Sequence, residues 1–85
     1  MNSSISRLLW AMSQIARGQY EVTLHARKRM AERKVTHADI KSCAQTGSIS
    51  PLEEGKFKVV GRDCDEDALT LVGAIEEKVI LITVF

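Results

Sequence analysis

Proline, cysteine and aromatic residues are scarce in this chain: one Pro, two Cys, one Trp, one Tyr and two Phe among 85 residues, with five Gly. Two cysteines are too few for a disulfide scaffold, and Cys43 and Cys64 do not make a CxxC metal pair. The economical expectation is two free thiols in a reduced, cytoplasmic protein. So little Pro and Gly leaves no room for a long linker or a low-complexity tract, and no internal repeat is visible. No stretch approaches the ~20 apolar residues of a membrane span. The Val79–Phe85 run is apolar but only strand-length, and no membrane contact is expected. A secretion signal is not expected either, because Met1-Asn-Ser-Ser lacks a charged start and the apolar run around Leu8–Met12 is too short. A Gly-rich phosphate loop, a paired-His metal motif and a Ser/His/Asp pattern are all missing, so neither cofactor nor metal is expected.

What remains is an ordinary globular composition, 45% hydrophobic and 27% charged. The length fits one domain, 1–85, divided into an N-terminal helix over 1–19 and a region over 20–85 that carries the motifs below. The net charge of +1 hides a polarity. Residues 1–42 hold eight Lys/Arg and three Asp/Glu, a balance of +5, while residues 43–85 hold four and eight, a balance of −4. The basic half is suited to nucleic acid or to an acidic partner; a solvated helix surface is the plainer alternative.

Helical spacing dominates the first half. Ile5, Leu8, Leu9, Met12 and Ile15/Ala16 predict an amphipathic helix over Ile5–Gly18, with Ser3 or Ser4 as cap and Gly18 as stop. Tyr20-Glu-Val22 reads as a short extended segment. Thr23 then caps a second helix that runs to about Lys34, its apolar face carrying Ala26 and Met30 with Leu24 and Val35 at the ends. Thr36-His-Ala-Asp39 opens a third helix with an approximate capping box, Ile40, Cys43 and Ala44 giving its apolar face and Gly47 its end.

After Gly47 the pattern alternates. Ser48–Leu52 reads as a short edge strand limited by Pro51. Phe57/Val59/Gly61 alternate against Lys58/Val60/Arg62, Asp63–Asp67 is an acidic turn, and Leu69–Ile75 and Val79–Val84 are strands joined by a Glu76-Glu77 turn. The last two are apolar on both faces, which predicts central strands covered on both sides. The expected fold class is α+β, N-terminal helices packed on a small antiparallel β-meander.

The second helix carries more cationic chemistry than packing requires. His25, Arg29 and Arg33 recur at i, i+4 and i+8, which aligns them over roughly 12 Å of one face. Arginine forks match phosphate oxygens in pairs of contacts, and an imidazole titrates near neutrality. His25 is therefore the candidate proton carrier, against the plainer reading of a histidine bonded to the chain entering the helix. Arg29 is the candidate anion stabiliser, against local pairing of Arg29 or Lys28 with Glu32. Arg27, Lys28, Arg33 and Lys34 add binding charge. Gly61 leaves space beside Arg62 for a ligand or another backbone. If the Lys58/Arg62 sheet face lies beside the second helix, those two residues join the same groove. The alternative is Arg62 paired with Asp63 or Asp65. His37 reads as a surface residue, and Trp10 as either core or interface.

The pattern His25-Ala-x-x-Arg29-Met30-x-x-Arg33, then Val35-Thr36-x-x-Asp39-Ile40, resembles the signature of a family of small bacterial proteins of unknown function. Its members read His-Ala-x-x-Arg-Met-x-x-Arg-Gly-Ile, followed by a β-meander. Lys58-Val-Val-Gly-Arg62 and Val79-Ile-Leu-Ile-Thr-Val-Phe85 are similar to its middle and terminal strands, so the resemblance covers about Tyr20–Phe85. Lys34 stands where the family commonly has Gly, and Phe85 where some members have Tyr. Such proteins are often encoded beside a small zinc-finger antitoxin-like protein, and their architecture is similar to that of the RelE and MqsR toxins, which cleave messenger RNA.

The resemblance implies a RelE-like toxin of a toxin–antitoxin pair, cleaving RNA without metal, with RNA and a cognate antitoxin as partners. In that reading His25, Arg29 and Arg62 are catalytic, and Arg27, Lys28, Arg33, Lys34 and Lys58 bind RNA. The alternatives are a non-catalytic nucleic-acid-binding module and a protein-interaction module that forms a homodimer through the first helix and Trp10.

Overall fold

A computed structural model describes residues 3–85, and within them the chain runs α1 (Ser3–Ala16), β1 (Glu21–Val22), α2 (Leu24–Arg33), α3 (His37–Thr46), β2 (Ser48–Pro51), β3 (Lys56–Arg62), β4 (Ala68–Ile75) and β5 (Val79–Val84). The side chains of Ser3 and Ser4, read as candidate caps, lie outside the described residues. β2 through β5 form the expected antiparallel meander. The sheet order is β1-β5-β4-β3-β2, with the two-residue β1 added in parallel along β5, Glu21 opposite Ile80 and Val22 opposite Leu81. The fold is thus α+β, three helices on a mixed, mostly antiparallel five-stranded sheet.

All three helices bury their apolar side chains in one cluster. Ile15 of α1, Met30 of α2 and Ile40 and Cys43 of α3 meet Phe57, Val59, Leu69, Leu71, Val79 and Leu81 from the sheet. Each fully buried large side chain contributes about 1.5–3 kcal/mol of transfer free energy. The period-two alternation in β3 survives intact, Phe57 and Val59 inward and Lys58 and Val60 outward.

Three sequence expectations are corrected. β4 and β5 are central, but the outer faces of Thr70, Val72, Ala74 and Ile80 stay half-exposed rather than covered. Their two-sided apolar pattern reflects small and β-branched residues that suit a pleated strand even when half in water. In α1 the buried stripe is Leu8-Ala11-Met12-Ile15, because the small Ala11 lets α1 close onto α3; Ile5 and Leu9 are 54% and 62% exposed. Leu24 is 81% exposed, since it lies about 200° around the helix from buried Ala26. Trp10, which the sequence left open, is 41% exposed.

The joints follow local chemistry. Thr23 accepts the Ala26 N–H at 3.0 Å and donates its hydroxyl to the Ile82 carbonyl at 3.1 Å, so one side chain both starts α2 and fastens it to β5. Lys34 ends α2 in the left-handed region, φ 56°, with the Val35 N–H bonded back to the Met30 carbonyl at 2.8 Å. That conformation favours glycine and accounts for the residue the resembling family carries there. At α3 the capping box is complete: Thr36 Oγ1 accepts the Asp39 N–H and Asp39 Oδ2 accepts the Thr36 N–H. Gly47 caps α3 in extended backbone, φ −105°. Gly61 faces it, where a Cβ would lie 2.3 Å from the Cys43 carbonyl oxygen. The space beside Gly61 is therefore filled by another backbone, that of α3.

Candidate nucleic-acid interface

α2 buries Ala26 and Met30 and leaves almost everything else outside. His25, Arg27, Lys28, Arg33 and Lys34 are exposed and Arg29 is half-buried. The structure therefore keeps the His25-Arg29-Arg33 row together on one helix. Arg29 leans on Glu32 at 3.7 Å, the local pairing foreseen as the plainer reading. Both side chains remain substantially exposed, so the pair is worth at most about 1 kcal/mol and does not withdraw Arg29 from an anion. His25 makes no side-chain hydrogen bond among the described residues.

The flank of α2 that carries Arg27 faces a cleft the sequence did not reveal. Tyr20, Glu21, Val22, Arg27, Met30 and His37 line about 520 Å³ of open space. At its wall the Tyr20 hydroxyl lies 2.6 Å from His37 Nδ1, with ring centroids 5.8 Å apart and planes inclined by 31°. Burial pushes the Tyr20 phenol above its ordinary value, which keeps it protonated. Three elements build this cleft. The parallel pairing of β1 on β5 places Tyr20, the Thr23 cap aims α2, and the Thr36 cap fixes His37 in the first turn of α3. His37 is at the surface as expected, but it has a partner.

Lys58 and Arg62 lie elsewhere. Lys58 is half-buried in the middle of β3, opposite Ser50 and Val72, on the face turned away from Phe57, Val59 and the helices. Arg62 sits at the far end of β3. Its N–H bonds to Thr46 Oγ1 at 3.0 Å, and its guanidinium is 3.8 Å from Glu66 rather than paired with Asp63 or Asp65. The cleft around Arg62 is formed by Ser42, Thr46, Asp63, Cys64 and Glu66, so α3 borders it and α2 does not. The acidic turn closes on itself: Asp63 Oδ1 accepts from the N–H groups of Asp65 and Asp67, both at 2.9 Å.

Cys43 is buried and donates to the Leu69 carbonyl, and burial raises its thiol to about 11. Cys64 is exposed, its thiol raised by the Asp39 carboxylate beside it. Both are free thiols. Among the described residues no three His, Cys, Asp or Glu side chains cluster as metal ligands, and no helix is long and apolar enough to cross a membrane.

No curated protein and no solved structure matches the chain. A family model does, over residues 22–85, which takes in everything from β1 to the terminal residue apart from Glu21 and leaves α1 outside. That is most of the sequence, and the chain belongs to the DUF4258 family, a domain of unknown function.

Proposed function

We propose that this protein is a toxin-like RNA-cleaving component of a toxin–antitoxin pair, working without metal and gripping the RNA backbone with α2. The observation that supports the reading best is the cationic exposure of α2: His25 and Arg33 flank half-buried Arg29 on one face, while Lys28, Lys34 and, about 200° around the helix from Arg29, Arg27 are also exposed. Guanidinium pairs bind phosphate oxygens and stabilise the added charge of a five-coordinate phosphorus. Arg29 and Arg33 grip phosphates along the strand, with Arg27, Lys28 and Lys34 adding cationic contacts on either flank. In the reaction the RNA 2′-hydroxyl attacks the adjacent phosphate, so the substrate supplies its own nucleophile. His25, at the head of the row, is in place to touch a bound phosphate. Lys58, on the outer face of β3, and Arg62, in a cleft bordered by α3, are separate from this surface.

The test is expression of the wild type and of a His25→Ala/Arg29→Ala variant, with growth followed and total RNA examined for new ends. Growth arrest and new ends with wild type, weakened in a folded variant, support the reading. RNA that is bound in a steeply salt-dependent manner but never cut supports the non-catalytic alternative instead.

A further inference from the structure

We propose that the cleft between β1, α2 and α3 is the chemical centre of the protein, where His37, positioned by Tyr20, takes a proton from the RNA 2′-hydroxyl while Arg27 binds the phosphate under attack. This rests on the RNA-cleaving reading above and names its substrate class and its proton carrier.

A catalytic histidine needs a ring held in one orientation and one tautomer. A base is effective when a hydrogen bond to one ring nitrogen fixes the ring and the tautomer, leaving the other nitrogen for the reaction. His37 meets that condition, with Nδ1 2.6 Å from the Tyr20 oxygen. When Nδ1 carries the proton and donates it to the phenolic oxygen, Nε2 is left with its lone pair. His25 has no such partner among the described residues, which leaves it as a contact to flanking backbone.

The lining of the cleft decides the substrate. Arg27 supplies the cation for a phosphate, and the inclined Tyr20 and His37 rings offer an aromatic surface on which an unpaired base stacks. Glu21 is the one carboxylate among the lining residues and is 2.7 Å from Lys78 Nζ, which neutralises it. No Ser, Thr or Cys side chain lines the cleft, and the Tyr20 phenol is a poor nucleophile at neutral pH. A nucleophile carried by the substrate suits such a cleft, because it lies beside the phosphate and needs only the histidine to take its proton. A single-stranded RNA provides one next to each phosphate and a DNA does not.

The step balances. The O2′ proton passes to His37 Nε2, the O2′–P bond forms and the P–O5′ bond breaks. The leaving O5′ takes a proton from water, and the hydroxide so produced takes the one held by His37. The products are a 2′,3′-cyclic phosphate and a 5′-hydroxyl.

The experiment incubates a labelled single-stranded RNA and its all-2′-deoxy counterpart with the full-length wild type and with His37→Gln, Tyr20→Phe and His25→Ala/Arg29→Ala variants, each verified as folded by circular dichroism. The expected result is cyclic-phosphate products from RNA only, and a rate lowered at least about 100-fold by His37→Gln. Tyr20→Phe should lower kcat with KM unchanged, because the ring keeps its place in the cleft while His37 loses the bond that fixes its tautomer. A merely structural Tyr20 would leave kcat in place in the folded variant and overturn its positioning role. Full cleavage by His37→Gln would overturn the assignment of this cleft while leaving RNA cleavage standing. RNA left intact by the wild type would overturn both.

Discussion

Asp39 carries more of the fold than a first-turn carboxylate ordinarily does, and replacing it separates its contributions. Oδ2 accepts the Thr36 N–H at 2.9 Å and the Thr36 hydroxyl at 3.0 Å, and Oδ1 accepts the Cys64 N–H at 3.0 Å. One side chain therefore starts α3 and ties it to the turn between β3 and β4. Asp39→Ala loses the cap, worth about 1 kcal/mol, and the bond to Cys64, worth about 1 kcal/mol more, for a total of about 2 kcal/mol. Asp39→Asn keeps one carbonyl acceptor and should lose about half of that. The backbone bond from Thr36, followed by that from Cys64, holds the carboxyl down at about 2 from its ordinary 3.8. A depressed folded-state pKa stabilises the protein above the unfolded value and ceases to do so as pH falls through the folded one. The gap between wild type and Asp39→Asn should thus be full above pH 3.8 and narrow progressively toward pH 2. Urea denaturation of both proteins across that range measures it. Equal stability at neutral pH, or a gap that does not narrow on acidification, would refute the reasoning.

Two other substitutions probe the joints of the fold. Lys34→Gly should raise stability by about 0.5 kcal/mol in the same denaturation assay, because relief of the left-handed penalty exceeds the entropy that glycine adds to the unfolded chain. Gly61→Ala should cost about 3 kcal/mol or prevent folding, since its Cβ would press on the Cys43 carbonyl 2.3 Å away, a backbone atom that cannot swing aside.

The parts of this fold that depend on neighbours in the sequence were readable from it. Thr23 and Thr36 announced two helix starts through chemistry that acts within one turn, and the alternation from Phe57 to Arg62 announced a strand with one buried face. Gly61 signalled a close approach, although only the structure showed that a backbone fills it. The buried stripe of α1 was harder, because Leu8 and Leu9 offer equal hydrophobicity, and the small Ala11 that selects between them matters only through its packing. The His25-Arg29-Arg33 row was legible because it follows helical spacing. The Tyr20–His37 pair was not, because its two residues meet through the parallel docking of β1 on β5, a long-range pairing that leaves no periodic trace in so short a strand. For the same reason the sequence could not tell that Lys58 and Arg62 lie away from α2.

The claim at the centre of this account is that the cationic surface of α2 serves RNA cleavage by side chains alone. Purified wild-type protein incubated with single-stranded RNA in excess chelator, with the termini of any fragments identified, tests it most directly. The account predicts fragments with 2′,3′-cyclic phosphate and 5′-hydroxyl ends at undiminished rate. Intact RNA, or cleavage that returns only when a divalent metal is restored, would contradict it.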